Sequence, residues 1–144
     1  MTDVHVRQQV RDAIAAKVNA VAALTGKTFT SRTSELAAEE LPAAIVVFEG
    51  ETIENKGSNR PGIGIQKRNI QTGVYIFARS LTKIEEALDI LTAEVEKKVF
   101  EDSTLQGVAA QTTIESVEPD IRSSPTLPTG LYRILFSSDR KSVV

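Results

Sequence analysis

The sequence predicts an α+β domain in which a mainly antiparallel sheet of two hairpins carries two amphipathic helices. Two segments have the apolar spacing of a helix that buries one face, and a long strand-like region separates them. A second pair of strand-like segments follows the second helix. The predicted order is helix, short strand, hairpin, helix, hairpin, which is typical of helices packed on one antiparallel sheet. We expect a single domain over residues 1–144.

Composition and charge limit the classes of function. With 17 basic and 19 acidic residues, the formal net charge is −2, which gives no general attraction to nucleic-acid phosphates. The chain has no cysteine and one histidine, which argues against disulfides, thiolate metal sites and histidine-rich metal sites. The N-terminus does not resemble a signal peptide, and no apolar run approaches the ~20 residues of a membrane span. We therefore expect a cytosolic protein with no cofactor, no metal, no membrane partner and no sequence-specific nucleic-acid partner.

The first helix is predicted from apolar residues that recur every three or four positions. Thr2 or Asp3 is a suitable N-cap, and Gly26 follows the last apolar residue, where a left-handed glycine is expected to end the helix. The residues expected to face the core are Val6, Val10, Ile14, Val18, Val21 and Leu24.

The triplet at Gly26, Lys27 and Thr28 matches the end of a Walker phosphate loop. Val21 stands where the first glycine of that motif belongs. A phosphate loop leaves a strand and opens a helix, so that the positive end of the helix dipole meets the anion. Because this triplet follows a helix, at the negative end of its dipole, the sequence favours a helix cap with a solvated lysine over a nucleotide site.

A long hairpin is predicted between the helices. A short strand over Thr28–Arg32 comes first, and a polar connection leads to Pro42. Residues 43–48 are continuously apolar, as in a strand covered on both faces, and an alternating pattern follows them. The glycine-rich segment 55–64 has the composition of a loop.

The returning strand of this hairpin alternates from Ile70 to Ala78. Ile63 and Ile65 have a different apolar phase, which predicts a β-bulge near Lys67–Asn69. With that bulge, residues 43–79 form one hairpin.

The second helix is predicted from a capping box at Thr82 and Glu85. Its expected core stripe comprises Ile84, Leu88, Leu91, Val95 and Val99, and its expected solvent face carries Lys83, Glu86, Glu94 and Lys97.

The second hairpin has an unusual connection. The strand-like segments 107–117 and 130–138 are joined by residues 118–129, which are polar and hold three of the five prolines. Such a long connection in a compact domain is typical of a functional or mobile segment.

Candidate catalytic groups are few. General acid–base catalysis needs titratable groups that converge in a dry pocket. His5 falls in the first turn of the N-terminal helix, where we expect a solvated residue. No serine lies in a G-x-S-x-G or S-x-x-K motif, and the carboxylates are concentrated on predicted wet helix faces. We expect no enzymatic activity and a protein that acts through its surfaces.

Charged residues in and beside the two irregular segments are the candidates for assembly contacts. The alternation and the loop composition place them in solvent, where complementary charges would fix the register of an interface. They are Glu51, Glu54, Arg60, Lys67, Arg68, Asp120 and Arg122.

The order of these segments resembles that of the lambda-type phage tail terminators, the minor tail protein U family, and related tail-completion proteins. The resemblance is carried by the helix VRQQVRDAIAAKVNAVAAL, the strand LPAAIVVFEG, the strand GVYIFARS running into the helix LTKIEEALDILTAEVEKKVF, and the final strand GLYRILFSSDR. It covers about residues 4–140 and is one of pattern and length, without an invariant motif.

The resemblance implies a structural subunit that assembles with itself into a hexameric ring at the head-proximal end of the tail. Such a ring caps the tail tube protein, ends tube polymerisation and presents a surface to the head–tail connector or neck protein. It implies assembly in the cytoplasm of a host bacterium and leaves contact with the tape-measure protein open.

Three other functions are weighed against this one. A neighbouring neck or head–tail completion subunit has the same size and element order. A small nucleotide-binding enzyme is disfavoured by the polarity of the Gly26 triplet and by the single histidine. A nucleic-acid-binding module is disfavoured by the net charge and the few aromatic residues.

Overall fold

The computed structural model describes residues 6–30, 42–56, 65–79, 84–102, 104–105, 109, 111–122 and 129–143. These residues form two helices, five strands and a 3-10 turn, Ala22–Leu24, which confirms the predicted α+β class. The elements are α1 (Val6–Asn19), β1 (Thr28–Thr30), β2 (Ala43–Lys56), β3 (Ile65–Arg79), α2 (Ile84–Phe100), β4 (Gln111–Arg122) and β5 (Thr129–Val143).

The five strands form one sheet in the order β1-β2-β3-β5-β4. Both predicted hairpins are present, β2 with β3 and β4 with β5, and β3 pairs with β5 between them. All of these pairs are antiparallel, whereas the short strand β1 runs parallel to β2. The first hairpin is in register from Ala43 opposite Phe77 to Lys56 opposite Ile65, which confirms the long hairpin between the helices.

The bulge of this hairpin lies on the other strand, so the prediction of a bulge near Lys67–Asn69 is wrong. The register shifts between Phe48 and Gly50, which makes Glu49 the extra residue, while residues 65–79 pair with β5 without interruption. Strand β3 therefore pairs regularly through the positions at which the apolar pattern of the sequence changes phase.

Both helices pack on one face of the sheet around a single core. The apolar spacing of each helix predicted its buried face, although the side chains of Val6 and Ile84 are outside the described set. The opposite face is less covered than the sequence predicted for residues 43–48: Ile45 and Val47 are half-buried there. The helix residues of the core are Val10, Ile14, Val18, Leu88, Leu91, Val95 and Val99, and the strand residues include Val46, Ile70, Val74, Ile76, Ile134 and Phe136.

Helix α1 ends at Asn19, earlier than the predicted end after Leu24, and the 3-10 turn Ala22–Leu24 leads from it to Gly26. Gly26 has a φ of 76°, the left-handed conformation predicted for it. Its N–H donates to the Asn19 side-chain oxygen at 2.8 Å, and the Thr25 hydroxyl donates to the Asn19 carbonyl at 2.9 Å. Lys27 and Thr28 therefore follow the C-terminal end of a helix, where the dipole disfavours an anion. The proposed N-caps of both helices lie outside the described residues.

Strand β4 corrects the prediction of an irregular connection over residues 118–129. The strand continues to Arg122, and β5 begins at Thr129. Within the predicted connection, residues 123–128 lie outside the described residues. Pro119 is opposite Tyr132 within this strand. A proline cannot donate to a ladder, but β4 is the last strand of the sheet, and an edge strand needs no donor on its free side. The strand therefore continues through Pro119, whereas the sequence pattern had placed this proline in the connection.

Candidate assembly surfaces

Glu51 and Arg68 form an ion pair across the first hairpin. The Arg68 Nη1 donates to both Glu51 carboxylate oxygens at 3.2 Å. Only 9% of the Glu51 side chain and 23% of the Arg68 side chain are exposed. Register explains this burial, because Glu51 is opposite the core residue Ile70 and so lies on the helix side of the sheet. The prediction that both side chains lie in solvent is therefore wrong for Glu51, and this pair contributes to the stability of the hairpin.

Glu54 and Lys67 are opposite each other, further toward the end of the same hairpin. On the other side of β3, Lys67 is opposite Lys141 and Arg68 is opposite Arg140. Basic residues therefore occupy neighbouring positions of β3 and β5 at this end of the sheet. Like charges in opposing positions destabilise a sheet unless other groups neutralise them, and Glu51 does so for Arg68.

Asp120 and Arg122 lie at the opposite end of the sheet. They are opposite Leu131 and Thr129, and Thr129 is in turn opposite Arg79 at the end of β3. Arg79 is eleven positions further along β3 than Arg68, a distance of roughly 36 Å along an extended strand. The predicted contact residues therefore form two separate groups, and Arg60 lies outside the described residues.

A charged cluster on the sheet face opposite the helices was not predicted. It is centred on Glu49, whose carboxylate accepts the Tyr75 hydroxyl at 2.5 Å and the Arg133 Nε at 3.5 Å. The Arg133 Nη1 also lies 3.6 Å from the Glu118 carboxylate, and its guanidinium lies 6.0 Å from the centre of the Tyr75 ring. We call Glu49, Tyr75, Arg133 and Glu118 the open-face cluster.

The pKa shifts in this cluster agree with its geometry. Burial raises the pKa of Tyr75, and the hydrogen bond to the Glu49 carboxylate raises it further. Burial acts to lower the pKa of Arg133, but its interactions with Tyr75 and Glu49 outweigh that effect and raise it. Tyr75 therefore remains a neutral donor to Glu49, and Arg133 remains charged. The cluster is therefore held together by hydrogen bonds and ion pairs around Glu49 and Arg133.

The bulge and one glycine make this cluster possible. As the extra residue of β2, Glu49 turns its side chain over Gly73 of the next strand, where an added Cβ would collide with the Glu49 carboxylate. An isolated glycine within a strand often marks a close approach of this kind. Gly73 was therefore the signal in the sequence that could have indicated this cluster. A glycine does not show which residue approaches it.

Half-buried apolar side chains surround the cluster. They lie on β2, β3 and β5 in register with its members, and no described helix packs on them. Towards the edge strand, the Gln71 amide donates to the Glu115 carboxylate at 3.2 Å. We call this surface the open face; its apolar residues are Ile45, Val47, Phe77, Leu131 and Leu135.

No group of three histidine, cysteine or acidic side chains within the described residues could hold a metal ion. Neither α1 nor α2 is long and apolar enough to cross a membrane. His5 lies outside the described residues.

Comparison with known proteins finds a distant structural likeness and no match in sequence. No protein-family model matches the chain. No curated protein sequence matches it either. Among solved structures, a chain from the virion of a native gene transfer agent particle is similar over 97% of this chain and 100% of that one, with 7% sequence identity and a TM-score of 0.48. A likeness this distant carries no argument about function.

Proposed function

We propose that this chain is a structural subunit of a phage-type virion, a tail terminator that forms a hexameric ring on the tail tube. The ring ends polymerisation of the tube protein and offers its other side to the head–tail connector. The subunit acts through contacts, without catalysis. The resemblance of the sequence to the lambda-type terminators supports this proposal.

The open face is the observation that carries the proposal. It combines half-buried apolar side chains with a fixed charged cluster, a combination found at protein–protein contacts. Because Glu49 and Tyr75 already hold Arg133, little side-chain entropy would be lost when a partner covers it. Two helices pack on the other face of the sheet and stabilise it. A sheet face of this kind suits a subunit that binds other proteins.

Disruption of the gene tests the proposal. Lysates should contain tails of uncontrolled length, or tails that fail to join heads, and expression of the intact chain from a plasmid should restore normal virions. Electron microscopy of the particles gives both readouts. A Val47→Asp/Leu135→Asp chain, which places two carboxylates on the open face, should fail to restore them if it folds.

The matched control is Glu94→Lys, which changes an exposed charge on the outer side of α2 and should restore normal virions. Tails of normal length that remain unjoined would favour the neck or head–tail completion subunit instead. Normal virions in the absence of the gene would contradict both functions.

A further inference from the structure

The helix layer is narrower than the sheet that it covers. Helix α1 packs on β1, β2 and β3, and α2 packs on β3 and β5. The helix-side face of the edge strand β4 is therefore uncovered from Val117 onward, whereas Thr112 and Ile114, nearer the start of the strand, are buried and half-buried. Val117, which is opposite the core residue Ile134, is 39% exposed for this reason.

One side of α2 forms a wall along this uncovered strip. The Asp89 carboxylate lies near the Tyr132 hydroxyl. The Phe100 ring packs edge-on against the Phe136 ring, with 6.4 Å between the ring centres. Both partners are on β5, so this side of α2 is turned away from α1 and towards β4. Helical spacing places Glu85, Asp89, Glu96 and Phe100 on this side of α2, and the strand register places Val117 and Pro119 on the helix side of β4. We call these six residues the α2–β4 groove.

The groove is apolar at its floor and acidic at its wall. Three of the six groove residues, Glu85, Asp89 and Glu96, carry carboxylates, and none of the six is basic. Strand addition at the free edge of β4 is hindered, because the bulge at Glu115 and the missing N–H of Pro119 interrupt the ladder positions. An occupant of the groove would therefore bind through side chains, and its chemistry would be apolar and basic.

The opposite edge of the same subunit has that chemistry. Helix α1 carries Arg7, Arg11 and Lys17 against the single acidic residue Asp12. The guanidinium of Arg7 lies over the ring of Phe48, 5.3 Å from its centre, and Phe48 is 36% exposed. We call Arg7, Arg11 and Phe48 the α1 edge.

We propose that the α2–β4 groove receives the α1 edge of a second copy of this chain. The two surfaces lie on opposite sides of the subunit, so the contact is head-to-tail, and repetition of it generates a ring when the rotation closes. This inference rests on the proposed ring and names the surfaces that build it. In the ring, the helix layer continues from one subunit to the next, and the apolar residues left exposed on β4 are covered.

Charge reversal on both surfaces tests the pairing. Glu85→Lys/Glu96→Lys chains and Arg7→Glu/Arg11→Glu chains should each fail to form rings alone, because each brings like charges together at every contact. A mixture of the two should assemble into rings in which they alternate, since each reversed groove then meets a reversed α1 edge. Native mass spectrometry counts both chains in each particle.

Three further samples keep the outcome unambiguous. Because Arg11 is partly buried, single Glu85→Lys and Arg7→Glu chains form a second pair in case the double variant does not fold. Glu94→Lys, on the outer side of α2, should form rings as the unaltered chain does. Rings from either reversed chain alone, or no rescue on mixing two folded variants, would overturn the pairing while leaving the ring itself intact. No ring from the unaltered chain, alone or on tubes, would instead contradict the proposed function.

Discussion

At the scale of single residues, Glu49 and Glu51 show how a bulge distributes charge between two faces of a sheet. Without the bulge, residues two apart in a strand would point the same way. Glu49 lies on the open face, as Val47 does, and is held there by Tyr75 and Arg133. The extra residue shifts the alternation after it, so Glu51 lies on the helix side with Arg68. Each carboxylate therefore has a basic partner on its own face.

Arg68→Glu should destabilise the folded subunit, because it places a second carboxylate beside the little-exposed Glu51. We expect the free energy of unfolding to fall by about 1–2 kcal/mol, between the values typical of exposed and of buried pairs. Urea unfolding measures it. The Glu51→Arg/Arg68→Glu chain should recover part of the loss, since it restores opposite charges, and no difference between the single and double variants would show that the pair is not responsible.

Stability should fall as the pH rises above about 10, the ordinary pKa of tyrosine. Burial raises the pKa of both Tyr75 and Tyr132, and hydrogen bonds to Glu49 and Asp89 add to it. Above pH 10 the unfolded chain therefore loses protons that the folded chain keeps, which lowers the free energy of unfolding. Urea unfolding over this pH range should show a shallower decline for Tyr75→Phe, and tyrosinate absorbance should develop at higher pH in the folded protein than in urea.

At the scale of elements, the features that depend on local sequence were predicted, and those that depend on the pairing of distant strands were not. The apolar spacing of α1 and α2, the left-handed Gly26 and the hairpin over residues 43–79 depend on neighbours in sequence, and all were predicted. The bulge at Glu49 and the cluster around Arg133 depend on register between strands far apart in the chain, which no local pattern contains. Of the contact residues, the Glu51–Arg68 pair is close in space, but its burial could not be inferred from alternation alone.

Strand β4 gives a prediction at this scale. Because residues 118–122 pair with β5, their amide groups directed to that strand should exchange slowly with solvent in the isolated subunit. Hydrogen exchange followed by mass spectrometry should show at least about tenfold slower exchange than in the urea-unfolded chain. Exchange at the unfolded rate would mean that β4 ends before Pro119 and that the groove loses part of its floor.

At the scale of the whole molecule, the sheet presents differently built surfaces in different directions. The open face carries a fixed charged cluster among apolar residues, the α2–β4 groove is apolar and acidic, and the α1 edge is apolar and basic. A subunit whose two edges complement each other can form a closed ring by one repeated contact, which leaves the open face for a different partner. The terminator proposal therefore assigns the two edges to contacts within the ring and the open face to a different protein.

The most direct measurement is the length of tail tubes that grow with and without the purified chain. Tube protein from the same virion should polymerise without limit alone, and addition of this chain should stop growth and leave a ring at one end of each tube, visible by negative-stain electron microscopy. Native mass spectrometry of the ring should give about 94 kDa, six times the 15.6 kDa of one chain. Tubes that grow equally long in both samples, with the chain absent from their ends, would contradict the terminator function.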